Sequence, residues 1–287
     1  MLLVEAGYSS FLPLHAAPYP GPDGKAECLA DWIEITRVPA VSMLAHCEAR
    51  SKPRGFVGVG DSLTSELPEL KWAQWELESA RSYFVPSRYF QGIRGDATLA
   101  NLRREFRSDC VLHLAVHTTT SEGALSFAFT DAIVPVSQLS KLLPSAPHLV
   151  VAAGCSSSRL DLGSNLDDAV GLSSDLMASG CPVVFGTLWP VDDIATALLV
   201  SRFYRNYMED AKDPTSSLAD ATRWLRKLTR LEVLKIVGDL EHVDRGFVGR
   251  LSEKARAWAS DLQYPFADPA YWGAFVVHDL TVEGSQS

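Results

Sequence analysis

The chain has 287 residues, 47% of them hydrophobic, enough to pack one large domain or two smaller ones. Its 35 acidic and 26 basic side chains leave a net charge of −9, which argues against nucleic acid as a partner. Cys28, Cys47, Cys110, Cys155 and Cys181 are odd in number and lack CxxC spacing, so they read as reduced thiols, with neither a disulfide framework nor a metal site.

No run is long enough to span a bilayer, and Met1–Glu5 lacks the basic start of a signal peptide. The expectation is a soluble, cytoplasmic protein with no membrane partner. Leu2–Ala6 reads as a strand, followed by a loop rich in proline and glycine at Pro18–Gly24. Residues 30–44 mix a strand-like WIEITRV with a helix start at Ser42. Phe56–Gly60 is a short strand with a glycine turn. It falls short of a dinucleotide fingerprint because Leu63 stands where the third glycine belongs, and no cofactor is expected. Trp72, Trp75, Leu77 and Ala80 set an amphipathic helix over 70–83, and Gly95–Thr98 starts another whose basic end carries Arg103, Arg104 and Arg107.

Val111–Val116 is a continuous apolar run, the mark of a strand buried on both faces, with His113 inside it and His117 at its carboxyl end. Leu149–Ala153 is a second such run and ends abruptly at Gly154-Cys155-Ser156. A helix over 165–179 follows, with Asp167 and Asp168 at its positive end and Gly180 and Pro182 closing it. Pro182–Leu188 is a third apolar strand, broken by Trp189-Pro190. Ala197, Val200, Tyr204 and Tyr207 mark a helix. Ser217–Val237 reads as one longer helix, Gly246–Asp261 as a shorter one, and Tyr271–Val277 as a closing strand. Alternating strands and helices imply an α/β sandwich.

In open parallel sheets, chemistry gathers at the carboxyl ends of the strands. If the strands before His117 and Cys155 are parallel neighbours, both residues emerge on one rim. A thiol is mostly protonated near neutral pH, and an adjacent imidazole raises its thiolate fraction. Cys110 and Cys181, inside or flanking apolar runs, read as inert core thiols.

LHLAVH (112–117), VVAAGCSSS (150–158) and GLSSDLMASGCPVVFGTLWPVDDIATALLVSRFY (171–204) resemble the CHAT domain of the caspase-like, clan CD cysteine peptidases. GCSS and GCPVVFGTLW are also similar to separase. FLPLHAA, RGFVGVGDS, GDATLANLRREF and PFADPAYWGAFVVHD fall in CHAT-like order, so the resemblance covers nearly the whole chain. It implies a caspase-like sandwich with a mostly parallel central sheet flanked by helices. Residues 1–108 would form an amino-terminal supporting subdomain and 109–287 the catalytic subdomain of one CHAT-like domain.

The resemblance further implies a cysteine endopeptidase with Cys155 as nucleophile and His117 as general base. Backbone N–H groups of Thr118 and Cys155 would hold the oxyanion, and an extended peptide would lie along Thr187, Leu188 and Trp189. The family usually has glycine after the histidine; Thr118 stands there instead and opposes a left-handed backbone. Asp192 and Asp193 either face a substrate side chain or cap the next helix. Implied partners are a protein or peptide substrate and a sensor or activator protein or fused helical-repeat region. The implied setting is bacterial defence or regulated cell death. The alternative is a catalytically weak or inactive CHAT-like module that binds peptide.

Overall fold

The computed structural model describes residues 1–4, 12–21, 26–44, 52–61, 70, 72–121, 124–153, 166–239 and 263–281. In chain order the strands begin with β1 (Leu2–Val4), β2 (Pro18–Pro20), β3 (Ala26–Cys28), β4 (Thr36–Val38), β5 (Gly55–Gly60) and β6 (Ser87–Gln91). They continue with β7 (Cys110–Ala115), β8 (Thr118–Ser121), β9 (Ala124–Ala128), β10 (Ile133–Pro135), β11 (Leu149–Val151), β12 (Val183–Thr187) and β13 (Phe275–Asp279). The helices are α1 (Val41–Leu44), α2 (Ala73–Arg81), α3 (Leu99–Glu105), α4 (Leu139–Leu142), α5 (Leu166–Ala178), α6 (Asp193–Met208), α7 (Pro214–Lys227) and α8 (Arg230–Asp239).

Eight strands form the central sheet in the order β1-β4-β13-β12-β11-β7-β5-β6. Every neighbouring pair is parallel except β12–β13, so the five strands from β12 to β6 run one way and the other three run back. β1 and β4 take one edge and β5 and β6 the other, while β7 and β11 lie in the middle. That position explains their unbroken apolar sequence, because layers cover both faces. Residues of α2, α6 and α7 pack with Phe56, Val111, Val151 and Phe185 on one face. Residues of α3, α4, α5 and the β8–β10 sheet pack with Val57, Leu112, Val150 and Val184 on the other. The result is a mixed α/β sandwich with a mostly parallel sheet.

The glycines of β5 serve packing. A Cβ on Gly58 or Gly60 would come within 2.6 Å of a Leu77 methyl, so their absence lets α2 lie close on the sheet.

Three elements differ from the sequence reading, the first being β2, which lies within the stretch read as a loop at Pro18–Gly24 and pairs antiparallel with β3. The single helix over 217–237 is two, α7 and α8, parted where Leu228 turns extended at ψ 122. Thr229 restarts the second helix with a capping box: its N–H donates to Glu232 Oε2 at 2.8 Å, and Glu232 N–H donates to Thr229 Oγ1 at 3.3 Å. The closing strand begins only at Phe275, because Asp268 caps a 3-10 turn over Pro269–Tyr271. The helix read at 246–261 lies outside the described residues.

Candidate active site

His117 stands two residues beyond β7 and is 2% exposed. Its carbonyl accepts the Ala128 N–H at 2.9 Å, where the chain turns from β7 into the β8–β9 hairpin. In the sheet, β7 and β11 are parallel neighbours, with Val111 beside Leu149, Leu112 beside Val150 and His113 beside Val151, an offset of 38 residues. The same 38 residues separate His117 from Cys155 in the sequence. Cys155 itself lies outside the described residues. Cys110 and Cys181 are buried thiols, as expected of core cysteines, and Cys28 is buried as well.

His113 is held inside the core, where its Nε2 lies 2.7 Å from Glu76 Oε1 and its Nδ1 3.3 Å from the Tyr204 hydroxyl. All three side chains are buried. The sequence reading missed both partners. The signal for Glu76 was its place on the apolar face of α2, one turn from Trp72 and from Ala80. A second buried contact went unread: Ser173 Oγ lies 3.1 Å from His278 Nδ1 and ties α5 to β13.

Thr118 opens β8 opposite Phe127 and is buried. Among the described non-glycine residues, the positive φ values belong to Asp61 and Ala211, so Thr118 has an ordinary extended backbone. The concern that threonine resists a left-handed turn therefore does not arise here. Because Ala128 N–H donates to His117 O, Thr118 and Phe127 form a non-hydrogen-bonded pair, and the Thr118 N–H points away from β9.

Thr187 ends β12 opposite Phe275, and Leu188 N–H donates to Ala274 O at 2.9 Å. This pattern turns the Thr187 N–H and C=O away from β13, toward the β11 side. There the β11–β12 register ends at Val151 and Phe185, closed by Ala152 N–H donating to Phe185 O at 2.9 Å. The Thr187 Oγ1 is buried with no hydrogen-bond partner among the described residues. Just beyond Trp189, Asp192 caps α6: its Oδ1 accepts the N–H groups of Ile194 at 3.0 Å and Ala195 at 3.1 Å. Asp193 is the first residue of that helix, so the cap is Asp192.

Among the described residues, no group of three His, Cys, Asp or Glu side chains is placed to hold a metal ion. No described helix is long and apolar enough to cross a membrane.

The family model of the CHAT domain matches residues 1–279. The chain belongs to the CHAT family. It is thus a domain of the caspase-like, peptidase type. Among the solved structures similar to this CHAT domain are the following two. One is the Arg specific cysteine proteinase gingipain R, at 9% identity and a TM-score of 0.43, covering 86% of this chain and 54% of that one. The other is the complex of Porphyromonas gingivalis RgpB pro- and mature domains, at 9% identity and a TM-score of 0.43, covering 86% and 55%. The CHAT domain therefore spans about half the length of those chains. No curated protein matches the sequence.

Proposed function

We propose that this CHAT domain is a cysteine endopeptidase working through His117 and Cys155. What supports the pairing is the parallel register of β7 and β11, whose offset of 38 residues is also the spacing of the two residues. His117 takes the Cys155 thiol proton, and the thiolate attacks the scissile carbonyl carbon. The resulting oxyanion is met by the N–H groups of Thr118 and Cys155. Collapse breaks the C–N bond, and the amine leaves with the proton from His117. Water, deprotonated by His117, then hydrolyses the thioester and regenerates the thiol. The substrate lies along Thr187, Leu188 and Trp189 by strand addition, which the N–H and C=O of Thr187 favour, since they face the β11 side beyond the last β11–β12 pair. The domain acts as a regulated effector in bacterial defence or cell death, under a sensor or activator protein or a fused helical-repeat region.

A peptide-binding module without turnover is the second reading, favoured by the burial of His117 and Thr118 to 2% and 3% exposure. The thiol separates the two. An activated Cys155 alkylates with iodoacetamide at mildly acidic pH, loses that reactivity in His117→Ala, and cleaves an unfolded protein that Cys155→Ala leaves intact. The double variant is then scarcely worse than either single one. Retained cleavage in Cys155→Ala removes the nucleophile assignment. Peptide binding with an inert thiol establishes the second reading.

A further inference from the structure

The geometry points to Gly186 as the residue that selects the substrate side chain, through a hollow that takes a bulky, uncharged group. Gly186 lies within β12, next to the end where the proposed peptide strand lies. Glycine in a strand interior weakens the strand and needs a reason. Backbone conformation is not the reason, because the glycines with positive φ are Gly95 and Gly180. Crowding by the described residues is not the reason either. A Cβ on Gly58, Gly60 or Gly273 would meet an atom at 2.6 to 2.9 Å, whereas no atom of the described residues lies within 4 Å of where a Gly186 Cβ would stand. A glycine required by neither its backbone nor its described neighbours marks a place where another molecule approaches.

The face of the sheet is fixed by alternation. Val183 and Phe185 pack on the side of α6 and α7, and Val184 on the side of α5, so Gly186 faces α5. A peptide along Thr187–Trp189 sends alternate side chains to that same face. On that face the strand neighbour of Gly186 is Val184 and its cross-strand partner is Val276, both apolar. The Asp192 carboxylate is engaged with the amides of α6. An apolar floor disfavours a charged group and rewards each methylene buried on it.

This inference rests on the peptide lying along Thr187–Trp189, so it is read by binding rather than by turnover. Fluorescent acetyl-hexapeptide amides, varied one position at a time through Gly, Ala, Leu, Phe, Arg and Asp, are titrated against Cys155→Ala by anisotropy. At one position Leu or Phe binds roughly tenfold or more tighter than Gly, Arg or Asp. Gly186→Val in the same background erases that preference, leaves the other positions unchanged, and keeps its melting temperature, since the added side chain meets none of the described residues. An unchanged profile in Gly186→Val, Arg or Asp preferred at that position, or no peptide binding overturns the proposal. Failure of the peptidase reading shows separately, as equal cleavage by wild type and Cys155→Ala.

Discussion

Trp189 rests over Gly273: a Cβ built on that glycine would lie 3.5 Å from Trp189 Cη2, 3.1 Å from Ala16 Cβ and 2.9 Å from the carbonyl oxygen of Pro269. The Pro269 contact is backbone and cannot swing aside. Gly273→Ala must therefore move the backbone under Trp189, at the end of the strand proposed to carry substrate. The expected outcome is a several-fold rise in KM with a smaller change in kcat. Steady-state cleavage of a single peptide measures it. A pure loss of kcat at constant KM counts against a peptide strand beside Trp189.

The pair of Glu76 and His113 anchors β7 to α2, four residues before His117. Removing one member of a buried polar pair leaves the other unsatisfied, at about 1–3 kcal/mol. Glu76→Leu should cost that much in urea unfolding, and Glu76→Gln, which keeps an amide oxygen, clearly less. Equal losses in the two variants indicate packing rather than the polar contact.

Much of this arrangement was legible in the residues. The runs 111–116 and 149–153 announced buried parallel strands, and the first announced His117 just past its carboxyl end. Strand order was not legible, because β1 and β4 join the sheet beyond β13 through contacts far apart in sequence. The break between α7 and α8 was readable in principle. Thr229-Arg230-Leu231-Glu232 is a capping-box pattern, but the unbroken amphipathic spacing around it masked the signal. Glu76 escaped because a lone carboxylate on an apolar face shows its partner only when the fold brings His113 to it.

Thr118→Gly tests whether the residue after the histidine limits the rate. Threonine already has an extended backbone within β8, so glycine supplies no conformation the site lacks. It removes a buried side chain and adds unfolded-state entropy, about 0.5–1 kcal/mol from backbone freedom alone. The expected result is a lower melting temperature with no gain in kcat. A rise in kcat at constant KM shows that the loop must become left-handed during turnover.

Acid should destabilise the domain in two separate windows. Burial, helped by the Arg37 charge and opposed by a hydrogen bond to the Gly273 backbone, lowers His15 from 6.5 to about 4. For Asp31, burial raises the carboxyl. The Arg226 guanidinium at 2.6 Å and the Cys28 N–H and thiol outweigh it and hold it at about 2. Both groups have folded values below their unfolded ones. Each contribution is therefore present above the unfolded pKa and is lost as pH falls through the folded one. His15 acts between pH 6.5 and about 4, and Asp31 between 3.8 and about 2. Urea unfolding in steps from pH 7 to 3 should show the first loss, on the order of 3 kcal/mol. His15→Gln should flatten that window and spare the second. A loss from pH 6.5 to 4 that survives His15→Gln assigns it to another group.

The acidic pair after Trp189 decides whether arginine is favoured in the substrate. A carboxylate that faces a substrate side chain makes arginine nearly obligatory, since a neutral residue leaves the buried charge without its partner. A carboxylate that caps a helix is already satisfied. Asp192 accepts two amide hydrogens from the first turn of α6, and Asp193 stands at the positive end of the same helix. Asp192→Ala should therefore cost about 1 kcal/mol of stability. Asp193→Ala should cost less, as expected for a charge–dipole contact without a cap. Neither should alter which peptides are cleaved, and arginine should hold no special place in the profile. Profiling of cleavage sites in a denatured proteome, run on wild type and both variants, measures this directly. Arginine found almost alone before the cut, and lost in Asp193→Ala, assigns that carboxylate to the substrate and leaves the cap to Asp192.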